Sequence, residues 1–310
     1  FYAIDQNDCY DGFCTCPACE VIVRREESKS GLLLDFVNHV AAELAGEAPQ
    51  SIFQMMALHS TEKPPKVLKA LPNVGIRLCD TTSNMLKPWS DAANSKHRSN
   101  LENWAKISND IVMWDYSINY GSPICINYPL PSARTYPGDL QMLAANHGGG
   151  VFFEHEQVIG ADMRDLKIWM ECKLAENPSL DYEVLLKDFT DHYYGLKAGE
   201  AIREYLGLLE KAGRDANADV GWFPSLSSFS FIDAAVMLQS AKLFDRAVEL
   251  AESPEYRQRI EYARLSLDRL YLIRAGAYRK AMQQRGQDAE LLPDYQQVKD
   301  RYLRTWESRM

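Results

Sequence analysis

The sequence predicts an α/β fold: about five βα units forming the C-terminal portion of a TIM-type (β/α)8 barrel, followed by an α-helical domain. Three observations carry this expectation. From Phe1 to about Asn177 short β-rich apolar runs alternate with helical patterns, the order of strands and helices around a parallel sheet. After Asn177 the strand signals stop and amphipathic helical stripes follow one another. A complete barrel takes ~250 residues and eight strands, whereas five runs qualify here, so the sheet is either an open α/β sheet or the last five strands of a barrel begun upstream. The chain opens on Phe1 and reads directly as a strand, which favours a fragment lacking its N-terminal part. Such a piece would expose a sheet edge and half its core, so it is not expected to fold alone.

The five predicted strands are Phe1 to Ile4, Ser51 to Leu58, Val74 to Leu78, Ile111 to Trp114 and Gly150 to Phe153. Their near-continuous hydrophobicity suits strands covered on both faces. Between the first two, Leu32, Leu33, Phe36, Val37, Val40, Ala41 and Leu44 recur at helical spacing, and Gly46 and Pro49 mark the stop. Further helices are expected to open at Asn100 to Trp104 and at Pro137 to Leu140. In the C-terminal part, Tyr182, Leu185, Leu186 and Phe189 form one stripe and Ile202, Tyr205, Leu206 and Leu209 the next. Longer amphipathic segments run from Ala234 to Leu250 and from Tyr256 to Tyr278, with Pro254 between them. The expected domains are therefore residues 1–177 and 178–310.

Charge narrows the partners. The 310 residues carry 43 Asp plus Glu against 34 Lys plus Arg, a formal charge of −9. No basic run offers to neutralise phosphates, so a nucleic-acid partner is not expected. No apolar stretch approaches the ~20 residues of a membrane-spanning helix.

Each predicted strand ends in a cluster of chemically capable residues. These are Asp5, Asn7 and Asp8; His59; Cys79 and Asp80; Asp115, Tyr116 and Asn119; and Glu154, His155 and Glu156. In barrels and open α/β sheets ligands sit at the C-terminal strand ends, so the five clusters would converge on one pocket. Polar residues also end strands because turns need them. Carboxylates dominate the clusters, and paired carboxyls with nearby aromatics suit glycosidic-bond chemistry, one acting as acid while another stabilises the oxocarbenium-like centre or activates a nucleophile. Trp89, Trp104, Trp114, Tyr116, Tyr120 and Tyr128 can supply flat faces for sugar rings, or serve as ordinary core.

The segment Asp5-Gln6-Asn7-Asp8, followed by Gly12-Phe13-Cys14-Thr15-Cys16-Pro17-Ala18-Cys19, resembles the signature of a large bacterial family, domain of unknown function 4838. Lys63-Pro64-Pro65, Leu71-Pro72-Asn73-Val74, Arg77-Leu78-Cys79, Trp114-Asp115-Tyr116, Gly150-Val151-Phe152 and Tyr193-Tyr194-Gly195 extend the likeness to about Leu209. Members of that family include endo-β-N-acetylglucosaminidases of glycoside hydrolase family 163, and other relatives are similar to α-glucuronidases. The resemblance implies a (β/α)8 catalytic barrel with Phe1 near its fourth strand, in secreted, periplasmic or cell-surface proteins of glycan-degrading bacteria. It also implies substrate-assisted hydrolysis of N-acetylhexosamine-containing glycans, without a cofactor. One carboxylic acid would protonate the leaving group and a second carboxylate would orient the substrate's acetamide as nucleophile.

On that expectation Asp8 and one of Glu154 or Glu156 are catalytic, with Asp115 as an alternative partner. Asn7, His59, Asp80, Trp114, Tyr116, Asn119 and His155 are expected to bind the carbohydrate. Glu154 and Glu156 share parity, so a continuing strand places both on one side. Two features depart from the family pattern: Asp5 stands where many relatives have a small residue, and Phe153-Glu154-His155-Glu156 replaces the usual Gln-Gly or Glu-Gly. A uronic-acid-directed glycosidase, with Arg77 or Arg134 meeting the substrate carboxylate, and a non-catalytic glycan-binding protein are the rival readings.

Of seven cysteines, Cys9, Cys14, Cys16 and Cys19 lie within eleven residues. Four thiolates can hold zinc, with Cys79 as a further donor, but one cluster without a distant partner also fits local disulfides or reduced structural thiols, and no metal is assigned.

Overall fold

A computed structural model describes residues 1–8, 10–118, 120, 127–155 and 160–309. Five parallel strands pair in sequential order: β1 (Tyr2–Ala3), β2 (Phe53–Ala57), β3 (Val74–Cys79), β4 (Ile111–Tyr116) and β5 (Gly148–Glu154). The sheet curls into half a barrel. Helices α1 (Pro17–Glu26), α2 (Lys29–Glu43), α3 (Ser95–Ala105) and α4 (Tyr136–Ala145) lie in the connections. Seven more follow: α5 (Arg164–Glu176), α6 (Tyr182–Tyr193), α7 (Leu196–Asp215), α8 (Ala234–Leu250), α9 (Pro254–Ala263), α10 (Leu265–Gln284) and α11 (Tyr295–Glu307). Two compact units divide these elements. The first comprises Phe1–Ser83, Lys87–Tyr116 and Gly138–Glu154; the second comprises Asn84–Leu86, Ser117–Pro137 and His155–Met310.

In the first unit the two faces of the sheet differ in chemistry. Residues paired across a parallel ladder share a face. Phe53, Met55, Ala57, Val74, Ile76, Leu78, Ile111 and Met113 share one face and are all buried, with Leu34, Val37 and Ala41 of α2 and Leu101 and Trp104 of α3 in the same core. The opposite face carries Gln54, Met56, Gly75, Arg77, Cys79, Val112, Trp114, Tyr116, Gly150, Phe152 and Glu154. It is far less covered, with Phe152 47% exposed. Burying the first set supplies the hydrophobic drive for the unit.

Polar anchors fix the connections. Glu26 is fully buried and accepts Val67 N–H at 2.8 Å and Leu68 N–H at 2.9 Å. Burial opposes its ionisation, but these two bonds and Arg25 outweigh it and lower the pKa. Ser28 caps α2, and its hydroxyl and that of Ser30 donate to the Lys63 carbonyl.

His97 of α3 lies 3.2 Å from Asp80, buried, with its ring 4.8 Å from that of Trp89. Burial lowers its pKa below 6.5, against the opposing pull of Asp80. A depressed folded-state value means that the unfolded chain takes up the proton first, so the stability His97 contributes is present above about pH 6.5 and is lost as pH falls through the folded value. Denaturant midpoints measured from pH 7.5 down to 5 should fall, and H97Q should flatten the decline. Parallel profiles would contradict this role.

Among the described residues, the regular elements of the second unit are all helices. Asp181, Asp233, Ser253 and Asp294 cap α6, α8, α9 and α11. Asp162 accepts Leu130 N–H and the Ser266 hydroxyl, with Lys167 3.3 Å away, all buried. Gly199 lets α7 meet the end of α6: a Cβ there would stand 2.6 Å from the Thr190 carbonyl oxygen. G199A is therefore expected to destabilise the unit by about 1–3 kcal/mol, read as a lowered denaturant midpoint.

Candidate functional site

The open face of the first unit gathers its polar groups at the C-terminal strand ends. On β4 and β5, Trp114 pairs with Phe152 and Tyr116 with Glu154. The Trp114 indole N–H donates to Glu154 Oε2 at 2.7 Å, and its ring meets Phe152 at 4.4 Å. On β3, Arg77 lies 6.0 Å from the Trp114 ring centroid and pairs with Asp5 beyond β1. Asp5, Arg77, Trp114 and Glu154 thus form a connected row across the sheet. It fixes the orientation of the glutamate.

Asp8 and His59 stand at the ends of β1 and β2. His59 Nε2 lies 3.6 Å from Asp8, whose side chain is 88% exposed, and the imidazole stacks on Tyr10 at 4.1 Å. His59 has φ 55°, held where the Thr61 hydroxyl accepts Leu58 N–H at 3.0 Å. The Gln6 amide donates to Thr61 at 3.1 Å, joining the β1 and β2 loops. Asn7 is exposed beside them.

Tyr116 ties the groups together. Its phenol is pushed well above its ordinary pKa by burial first, then by Cys79, Glu154, Asp8 and Glu62. Asp8 and Glu154 stand at the same end of this sheet. Burial, reinforced by Glu62, likewise raises the Cys79 thiol, which stays protonated at neutral pH.

Glu62 is a carboxyl that sequence reasoning missed. It is buried and its pKa is raised by desolvation first, with Lys96 at 3.6 Å opposing and Asp80 reinforcing. Its only sequence signal is its place three residues after His59. Glu62 Oε1, Gln6 Oε1 and Arg77 Nε are buried without a hydrogen-bond partner.

Other expected residues lie elsewhere. Asp80 follows Cys79 and turns inward, where it accepts the Trp89 indole N–H at 2.7 Å and Ser83 N–H at 3.1 Å. Asp115 pairs with Phe153, so parity sets it on the face opposite Trp114 and Glu154. His155 belongs to the second unit, with Nε2 2.5 Å from the buried Glu171, which also accepts the Ser117 hydroxyl. Trp89, Trp104 and Tyr128 are core. Cys9, Asn119 and Glu156 lie outside the described residues.

At the start of α1 the ligand atoms of Cys14, Cys16 and Cys19 lie within 4.8 Å of one another. Hydrogen bonds from Cys19 N–H and from the neighbouring thiols lower the Cys16 pKa to about 7, while donation to Cys16 pushes Cys19 up to about 12. Cys79 is buried in β3 and is not one of this group. No helix among the described residues is long and apolar enough to cross a membrane.

Among curated proteins, none matches the sequence. A family match covers residues 1–207, the whole sheet and the helices through most of α7. By this match over two thirds of its length, the chain belongs to the family described as domain of unknown function (DUF4838).

Proposed function

We propose that the protein is a glycoside hydrolase acting on N-acetylhexosamine-containing glycans, its sheet the second half of a (β/α)8 catalytic barrel. The observation that carries this reading is that Glu154, held by the Trp114 N–H, and Asp8, beside His59, gather at the C-terminal strand ends of one sheet. Two carboxyl groups at one end of a sheet can provide an acid and an orienting carboxylate, and Trp114 and Phe152 offer a partly open aromatic surface beside Glu154.

In this mechanism Glu154, held by the Trp114 N–H, orients the substrate's acetamide for attack on the anomeric carbon. Asp8, exposed beside His59, delivers the proton to the departing oxygen. The Tyr116 hydroxyl stays protonated. Burial raises the pKa of the nearby Glu62 carboxyl, against the pull of Lys96. Such glycan processing fits a secreted, periplasmic or surface location.

A uronate-directed site gains no comparable support, because both of its candidate cations are engaged. Arg77 pairs with Asp5, and Arg134 pairs with Glu210 and Glu183.

The intact protein should therefore cleave a 2-acetamido glycoside and leave the matching 2-hydroxy glycoside untouched, as followed by product chromatography. Equal cleavage of the two would overturn acetamide participation. Binding of glycans without any turnover would identify a binding protein instead.

A further inference from the structure

We propose that Cys14, Cys16 and Cys19 form a three-thiolate site for a zinc ion at the N-terminus of α1. Their ligand atoms already lie within 4.8 Å of one another. Around a tetrahedral zinc with Zn–S bonds of ~2.3 Å, sulfurs stand ~3.8 Å apart. Side-chain rotation alone closes that difference, because Cys14 and Cys16 are exposed and Cys19 is half-buried.

Local structure explains why three thiols meet. Pro17 opens α1, fixing the backbone immediately after Cys16, whose extended N-cap conformation turns the chain back. Cys19 stands in the first turn, three residues on from that cap, so its side chain returns toward it. Cys14 approaches from the preceding loop. The helix N-terminus also favours the accumulated negative charge of bound thiolates.

A disulfide would use two of the three sulfurs and strand the third, whereas one soft-accepting cation engages all of them. Zinc fits best, because thiolate donors select it over hard cations and it needs no redox change. The bound ion would tie the chain at Cys14 to the first turn of α1. The site stands on this cluster alone and is independent of the proposed hydrolase activity.

Cobalt(II) serves as the spectroscopic probe in a titration of the reduced, metal-free full chain. One equivalent should bind with thiolate charge-transfer and tetrahedral d–d bands, and zinc should displace it. C14S, C16S and C19S should each weaken binding at least about tenfold, the lower end of the loss for disturbing a partner outside the coordination shell. C172S, removing an exposed cysteine of α5, should bind as the unaltered chain does. Should the serine variants misfold, alkylation of the unaltered protein with peptide mapping replaces them: zinc should protect Cys14, Cys16 and Cys19. The absence of a charge-transfer band, unchanged binding in all three variants, or equal alkylation with and without zinc would overturn the site.

Discussion

Replacing Glu154 with glutamine is expected to lower glycan turnover by about 10²–10³-fold, the usual cost of removing one group that stabilises charge developing in the transition state. The amide keeps an acceptor for the Trp114 N–H, now 2.7 Å from the carboxylate, so the side chain should stay in place while its charge is lost. Fold disruption therefore does not explain a loss of rate. D8N should lower kcat to a similar extent while leaving the half-barrel intact, because the Asp8 side chain is 88% exposed. Unchanged kcat in E154Q would remove the glutamate from the mechanism. Unchanged kcat in D8N would transfer the acid role to another carboxyl, of which Glu62 is the one whose burial already favours the protonated form.

The second large effect concerns stability. W104A should cost roughly 3–5 kcal/mol, a substantial fraction of the ~5–15 kcal/mol by which domains are stable. Trp104 is fully buried on α3, and its indole N–H donates to the Glu62 carbonyl at 2.8 Å, so truncation leaves both a cavity and an unpaired carbonyl. Equilibrium denaturation should show the midpoint falling. W114A, at a half-buried position on the open face, should cost much less. Equal losses at the two tryptophans would contradict the assignment of one to core and the other to the site.

That pair also shows where the sequence was readable. The central strands β2, β3 and β4 were legible because the apolar residues on one face of each are buried, which leaves an apolar run in the chain. Their ends were less so. β1 shrinks to Tyr2–Ala3 at the sheet edge, where only β2 pairs with it. β4 runs on through Asp115 and Tyr116, and β5 through Glu154, so both strands extend past their apolar runs into polar residues. The segment Tyr256 to Tyr278 reads as one helix but is two, α9 and α10, meeting at the buried Arg264, which pairs with Asp245 and Asp268. Helix α11 has no apolar run to mark it in the sequence, and only Val298 and Thr305 of its residues are buried.

The site was legible as a set of strand-end clusters, but not residue by residue. Cys79 and Asp80 are neighbours in the chain and go to opposite sides, and the same parity parts Tyr116 from Asp115. The register of β3 on β4 and of β4 on β5 decides which member faces the open side, and register comes from long-range pairing. Glu62 sits in a loop, where no periodicity reports burial. Tryptophans give no sign in the sequence of whether they fill the core, as Trp89 and Trp104 do, or hold a carboxylate, as Trp114 does.

The central claim is that Glu154 and Asp8 serve one glycosidic reaction. Its most direct test is the initial rate of release of N-acetylhexosamine-terminated product from N-glycans by the intact protein, beside E154Q and D8N prepared identically. The account predicts measurable release by the unaltered protein and loss of nearly all of it in each variant. No release from N-glycans, mucin glycans or other acetamido-sugar substrates, or undiminished release by both variants, would contradict it.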